Sequence, residues 1–351
     1  LRLHLAAPLG IEVYLITAST PFYAQGGGQT SDGGFARQGD SALMEISTAD
    51  KTGDGITLHI GRVVRGTLKT KEPVMLSVAS RERKATARNH TATHLLHAGL
   101  QTILGEGTTQ KGSLVSPERL RFDFQHDGPV SYENLRAIES FVNQAVLEDL
   151  PVMTQVMNLD EAKKSGAVAL FGEKYEEEVR VVSCGSLSRE LCGGTHLSST
   201  GEIALFRILS ESGIASGIRR IEAVTGARAI EEAARDSDTI HQMGQRLKAG
   251  RDELLSKLDA SEERSRQLRD EVRRLERDKL AGSVEDLSSR EETVGPFHTL
   301  MHTFSDYDAG RLREAGDRFR DKLGDHAVVV LASASEGKVL WLAMAGKEAI
   351  A

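Results

Sequence analysis

Two five-residue motifs hold most of the chemistry this sequence can be read to carry. His90-Thr91-Ala92-Thr93-His94 lies in a stretch with helical periodicity, so its two imidazoles face the same side one turn apart. That is the spacing needed to grip one divalent ion. Cys192-Gly193-Gly194-Thr195-His196 repeats the i, i+4 offset with a thiolate and an imidazole, and its Gly-Gly pair reads as a turn. Three histidines and one cysteine together suit tetrahedral Zn²⁺.

Eleven histidines in 351 positions give roughly 0.3 accidental His-x-x-x-His pairs, so the first motif alone is weak. A Cys-x-x-x-His pair is rarer, at about 0.06, which makes coincidence of the two unconvincing. His298 and His302 form a decoy: they fall at the start of an expected strand, where residues four apart stand ~13 Å from each other. Thr91 stands where a His-Glu-x-x-His protease would place its glutamate, so that general base is missing. His97 reads as a core or supporting residue one turn beyond His94, and Cys184 as a buried hydrophobe. A purely architectural zinc is the plain alternative.

The elements that must position these groups follow from patterning, which reads as an α+β multidomain chain. Residues 1–80 hold short apolar runs (Val13–Ile16, Ala42–Ile46, Ile56–Ile60, Val74–Val78) separated by glycine-containing turns, expected as a small N-terminal β-barrel or sandwich. Residues 81–226 read as a mixed α/β zinc-binding domain. It should open with a helix over Arg83–Leu104 stopped by Gly105, with a second helix over about 131–149 and Asn158 capping a third. Residues 227–282 carry Ile240, Leu247, Leu254, Leu258, Leu268, Val272 and Leu275 on an a/d seam, expected as one long helix or a helical hairpin. Its outer face is balanced, with nine basic and nine acidic residues between Arg251 and Lys279, so it reads as solvated rather than RNA-binding. Residues 283–296 read as a linker and 297–351 as a small C-terminal α/β domain, truncated, in the order β-α-β-β.

Composition bounds the function classes. With 39% hydrophobic and 27% charged residues the chain is globular, and 44 basic against 51 acidic residues leave −7, a field that repels polyanions unless a local patch intervenes. The longest apolar run, Ala327–Ala334, is too short for a membrane span. Two cysteines are no secreted disulfide framework, so a reducing cytoplasm is expected.

At Thr20-Pro21-Phe22-Tyr23-Ala24, Gly27-Gly28-Gln29 with Asp32 and Gly34, His90–Leu96, Gln110–Val115, Leu120–Phe124, Phe171–Tyr175, Glu190–His196 and Ser212–Gly226, the chain resembles the editing and C-terminal portion of alanyl-tRNA synthetases. The resemblance spans residues 12–226; the rest matches only in pattern. It implies hydrolysis of seryl- or glycyl-tRNA(Ala), because an alanine pocket cannot reject glycine and excludes serine poorly by binding energy alone. It implies that His90, His94, Cys192 and His196 hold Zn²⁺, and that the ion anchors the aminoacyl group or polarises a water. It further implies that Thr93 and Gln110 line the pocket and orient the serine hydroxyl or the attacking water. Gly27, Gly28 and Gln29 would form a loop approaching the tRNA 3′ end. Arg219 and Arg220, with Arg207, become candidates for acceptor-stem phosphate contacts, the alternative being ordinary salt bridges.

Gly26 replaces the serine usual before Gly-Gly-Gln, and neither an aminoacylation domain nor its ATP motifs are recognisable. A fragment of a longer synthetase is therefore expected rather than a free-standing editing protein. The competing reading is a non-catalytic tRNA-docking and dimerisation module with structural zinc, a homodimer forming through the C-terminal region. The threonyl-tRNA synthetase editing module shares the motif pair, but Glu190–His196 and Ser212–Gly226 favour the alanyl family.

Overall fold

The computed structural model describes residues 6–169, 176–335 and 338–350, which form two compact units, residues 1–239 and 240–351. The motif Phe171–Tyr175 lies outside the described residues.

The first unit opens with seven strands: β1 (Ala6–Pro8), β2 (Glu12–Leu15), β3 (Gly34–Gln38), β4 (Ala42–Lys51), β5 (Thr57–Arg65), β6 (Thr67–Lys69) and β7 (Met75–Val78). Five of them make an antiparallel sheet in the order β2-β5-β4-β3-β7, and β1 pairs with β6 as a separate ribbon. Burial alternates along β3 as a one-sided sheet requires, and Phe22, Met44, Ile46 and Val63 form its core. The barrel expected for residues 1–80 does not close, since β2 and β7 remain separate edges. Leu68 and Ala7 of the ribbon join the same apolar cluster, so the inner face is covered without closure.

Next come α1 (Ser80–Leu104), β8 (Gln110–Val115), β9 (Leu120–Gln125), α2 (Tyr132–Leu147), β10 (Val152–Asn158), α3 (Leu159–Lys164), β11 (Glu178–Cys184), β12 (Ser188–Leu191), β13 (Phe206–Ala215), β14 (Ile218–Thr225) and α4 (Gly226–Leu247). One sheet runs β13-β14-β9-β8 and another β10-β11-β12. α2 begins as its sequence implies: Ser131 accepts a hydrogen bond from Asn134 N, and Ile138, Val142 and Ala145 are buried. Asn158 caps α3 by accepting from Asp160 N at 2.9 Å, without the reciprocal bond from Glu161. α1 is buried on nearly every side from Asn89 to Leu96, the pattern of a central rather than a surface helix. Gly99 lets α1 approach α2 closely; a Cβ there would lie 3.0 Å from the Phe141 ring.

Of the two forms expected for residues 227–282, one long helix or a helical hairpin, the chain shows two helices rather than one. α4 ends at Leu247, Lys248 adopts a left-handed conformation (φ 51°), and α5 (Leu254–Ser288) begins anew. Residues 283–296, read as a linker, are helical through Ser288. Leu280, Val284 and Leu287 of α5 are buried against Leu300, Phe319 and Leu331. There follow β15 (Glu292–Val294), β16 (Phe297–Ser305), α6 (Ala309–Leu323), β17 (Ala327–Ser335), β18 (Lys338–Ala345) and α7 (Lys347–Ile350), with the sheet ordered β15-β16-β17-β18. β16 and β17 are parallel and joined through α6, a βαβ unit. His298 and His302 lie along β16, as the strand reading requires of a decoy. No described helix is long and apolar enough to cross a membrane.

Candidate metal centre

His90 and His94 lie one turn apart on the buried α1, and Cys192 and His196 sit in the turn that follows β12. One donor atom from each of the four lies within 4.8 Å of all the others. Cys192 Sγ is 3.4 Å from His90 Nε2 and 3.3 Å from His196 Nε2. Ring centroids of His196 stand 4.3 Å from those of His90 and 4.6 Å from those of His94. The motifs picked out by spacing are thus brought to one point from 102 positions apart. No other such cluster occurs among the described residues.

The supporting contacts were not visible in either motif. His90 Nδ1 lies 2.7 Å from Gln29 Oε1, which also accepts from Thr195 N at 2.9 Å. Gln29 Nε2 donates to Thr195 Oγ1, completing a buried clamp. The loop glutamine expected to approach RNA is therefore 1% exposed and occupied with holding His90. Gly27 and Gly28 are exposed and left-handed (φ 56° and 80°), the two central residues of a tight turn whose flanks Gly26 and Gln29 pair. Thr91, noted for the glutamate it replaces, places Oγ1 3.1 Å from His196 Nδ1 and accepts from Leu197 N. Such bonds to the far nitrogen set which ring nitrogen is free to ligate. Arg180 donates to Cys192 O and Gly194 O, pinning the turn. Glu190 Oε1 lies 3.2 Å from His97 Nδ1, and its other oxygen lies 3.8 Å from His94 Nε2, so His97 is a supporting residue.

The electrostatics suit a cation. Burial opposes charge on Cys192, yet His90 beside it and hydrogen bonds from His196 and His90 hold its thiol well below the ordinary value. Burial and the neighbouring His90 push His196 down to about 3, so it is neutral. Burial works against a charge on His94 too, but Glu190 and Cys192 outweigh it and raise that imidazole to about 9. The buried His94 Nδ1 finds no hydrogen-bond partner among the described residues. A thiolate, three imidazoles and an orphaned ring nitrogen within one small volume fit a divalent ion of the zinc type. By contrast, Cys184 is fully buried and burial raises its thiol to about 12, as expected of a core hydrophobe.

His90, His94 and Cys192 line a cleft of about 390 Å³ together with Thr93, Gln110, Ser113, Glu190 and Leu191, with Tyr23, Gln25, Gly26, Gly27 and Lys51 around it. Thr93 Oγ1 donates to Asn89 O within its own helix, and Gln110 Nε2 donates to Ser113 Oγ at 3.3 Å. Both line the cleft. Arg219 and Arg220 do not form one basic patch. Adjacent on β14, they point to opposite faces; Arg219 is held by Glu211 and Arg220 by Asp123, each through two bonds. Arg207 is likewise paired, with Asp236 at 2.7 Å.

Residues 179–222, which include Cys192 and His196, match the family described as threonyl and alanyl tRNA synthetase second additional domain. Alanine–tRNA ligases from Acidithiobacillus ferridurans and Methylococcus capsulatus are 45% identical to the chain over 95% and 94% of its length. The chain belongs to the alanyl-tRNA synthetase family. It spans 38% of the length of those two relatives, and 39% of a third, from Pseudomonas syringae pv. syringae, again at 45% identity. Residues 5–82 match tRNA synthetases class II (A), so the first sheet of this synthetase segment carries a class II match that its strand pattern did not reveal.

Proposed function

We propose that the first unit is a hydrolase that clears mischarged tRNA(Ala), cleaving the ester of seryl- or glycyl-tRNA. The relatives' name supports a parent enzyme that joins alanine to tRNA, and we place it in the cytoplasm because two cysteines make no secreted disulfide framework. The observation carrying the hydrolase reading is a Cys/His₃ donor set three of whose members line a cleft sized for a small aminoacyl group. His90, His94, Cys192 and His196 would hold Zn²⁺, which supplies a positive charge to polarise an ester or lower the pKa of a water.

The chain's own residues supply position. Gln29 and Thr91 fix the rings of His90 and His196. Thr93 presents a hydroxyl and Gln110 a carboxamide to the cleft, polar groups that orient a serine side chain or a water. Thr91 cannot serve as a general base, and its hydroxyl is already engaged on His196. The test is deacylation of seryl-, glycyl- and alanyl-tRNA(Ala) with and without added zinc, alongside Cys192→Ala. Selective loss of the serine and glycine esters, abolished by the substitution, is expected. Intact esters with zinc present would refute the reading.

For the second unit, the exposed stripe Leu258, Leu268, Val272 and Leu275 on α5 supports self-association through a helical seam. Mass in solution should rise with concentration, and Leu268→Lys should abolish the rise.

A further inference from the structure

A negatively charged chain must still admit an RNA end to the cleft, and most nearby guanidinium groups are already committed. Arg180 holds the Cys192–Gly194 turn, Arg83 is bound to Asp32, and Arg219 and Arg220 are each paired with a carboxylate. Among the described residues, Lys51 is the one lysine or arginine side chain that lines the cleft, and it makes no ion pair there.

Its placement follows from β4. Ala49 O accepts a hydrogen bond from Gln25 N at 2.9 Å, which ties the Gln25–Gly28 turn to the end of that strand. Lys51 lies two residues on and therefore on the same face as Ala49. The ammonium is thus carried beside Gln25, Gly26 and Gly27, exposed residues of the cleft lining, while His90 and His94 of the donor cluster lie buried.

We propose that Lys51, on the rim formed with Gly26 and Gly27, seats a phosphodiester of the single-stranded 3′ end whose terminal ester lies at the metal cluster. The inference rests on the hydrolase reading and adds to it the anchor that orients the polyanionic part of the substrate. An aminoacyl ester at the terminal ribose has its nearest anionic group one sugar away, at the phosphate leading out of the site. A lone mobile cation suits a backbone contact, which needs charge and reach but no base recognition.

The experiment measures affinity for a dye-labelled single-stranded RNA ending in CCA, by anisotropy over a series of KCl concentrations. In parallel it measures hydrolysis of seryl-adenosine, which has no phosphate. Lys51→Ala should reduce the slope of log affinity against log salt by ~0.7, the value of one single-strand phosphate contact, and Lys51→Arg should restore it. Seryl-adenosine should be cleaved equally by all three proteins. An unchanged salt slope in Lys51→Ala overturns the proposal. So does a parallel loss on seryl-adenosine, since the lysine would then act at the ester. If wild-type protein cleaves no ester, the hydrolase reading fails, and the salt slope still decides the role of Lys51.

Discussion

Replacing Gly194 by alanine should disarm the metal centre while the fold survives. A Cβ built on Gly194 would sit 2.8 Å from Gln29 Oε1 and closer still to His90 Cε1 and Nδ1. Ordinary contact between such atoms begins near ~3.5 Å, so the imidazole or the turn must move by roughly an ångström. Metal–ligand distances tolerate only about ±0.2 Å, and losing the bond that orients a ligating histidine costs about 10- to 100-fold in affinity. Overpacking of about 1–3 kcal/mol leads to a similar range. A loss of about 10- to 100-fold in zinc affinity is therefore expected, read by competition with a chromophoric chelator, with far-ultraviolet circular dichroism unchanged. The neighbouring glycine is the control. A Cβ on Gly193 meets nothing within 4 Å, so Gly193→Ala should bind zinc as the parent does. Wild-type affinity in Gly194→Ala, or equal losses in both variants, would refute the steric argument.

Gln29→Ala removes the acceptor from His90 Nδ1 and from Thr195 N. It should weaken zinc by about 10-fold or more, checked by the same chelator competition. Zinc binding should also be pH-dependent. His94 is raised to about 9 and must lose its proton to ligate, whereas His196, at about 3, is already neutral and the thiol of Cys192 is held well below its ordinary value. Affinity should thus climb with pH up to about 9, and calorimetry in buffers of differing ionisation enthalpy at pH 7 should read a net release of protons on binding. Release of none would sink that assignment. Arg219→Ala leaves Glu211 without its partner and should cost about 1–3 kcal/mol in urea unfolding. The salt slope of RNA binding should not change.

The four clustered donor residues were legible because a helix converts a spacing of four into proximity, and a pair of such motifs is rare by chance. Their supports were not. Gln29 reaches His90 across 61 positions and Thr195 across 166, and no local pattern encodes a contact formed by folding separate sheets together. Four of the seven strands in residues 1–80 were readable, β1, β3 and β6 were not, and whether the edges meet depends on the β1–β6 ribbon, which covers the same apolar face. Residues 283–288 looked polar, yet Leu280, Val284 and Leu287 continue an apolar stripe at helical spacing. Arg219 and Arg220 drew attention as a basic pair because adjacency in sequence suggests one patch. On a strand it means opposite faces.

Because Cys192 is joined to His90 through a donor cluster across 102 positions, a bound ion acts on this chain as a reversible cross-link. A covalent tie closing a loop of that size restricts the unfolded ensemble by about 4–5 kcal/mol in the chain-entropy picture. It also imposes an order on biosynthesis. α1 can form early as the chain leaves the ribosome, but the fourth donor emerges only with His196. Metal loading would therefore be a late event, and a nascent chain stalled before Cys192 would hold half a site.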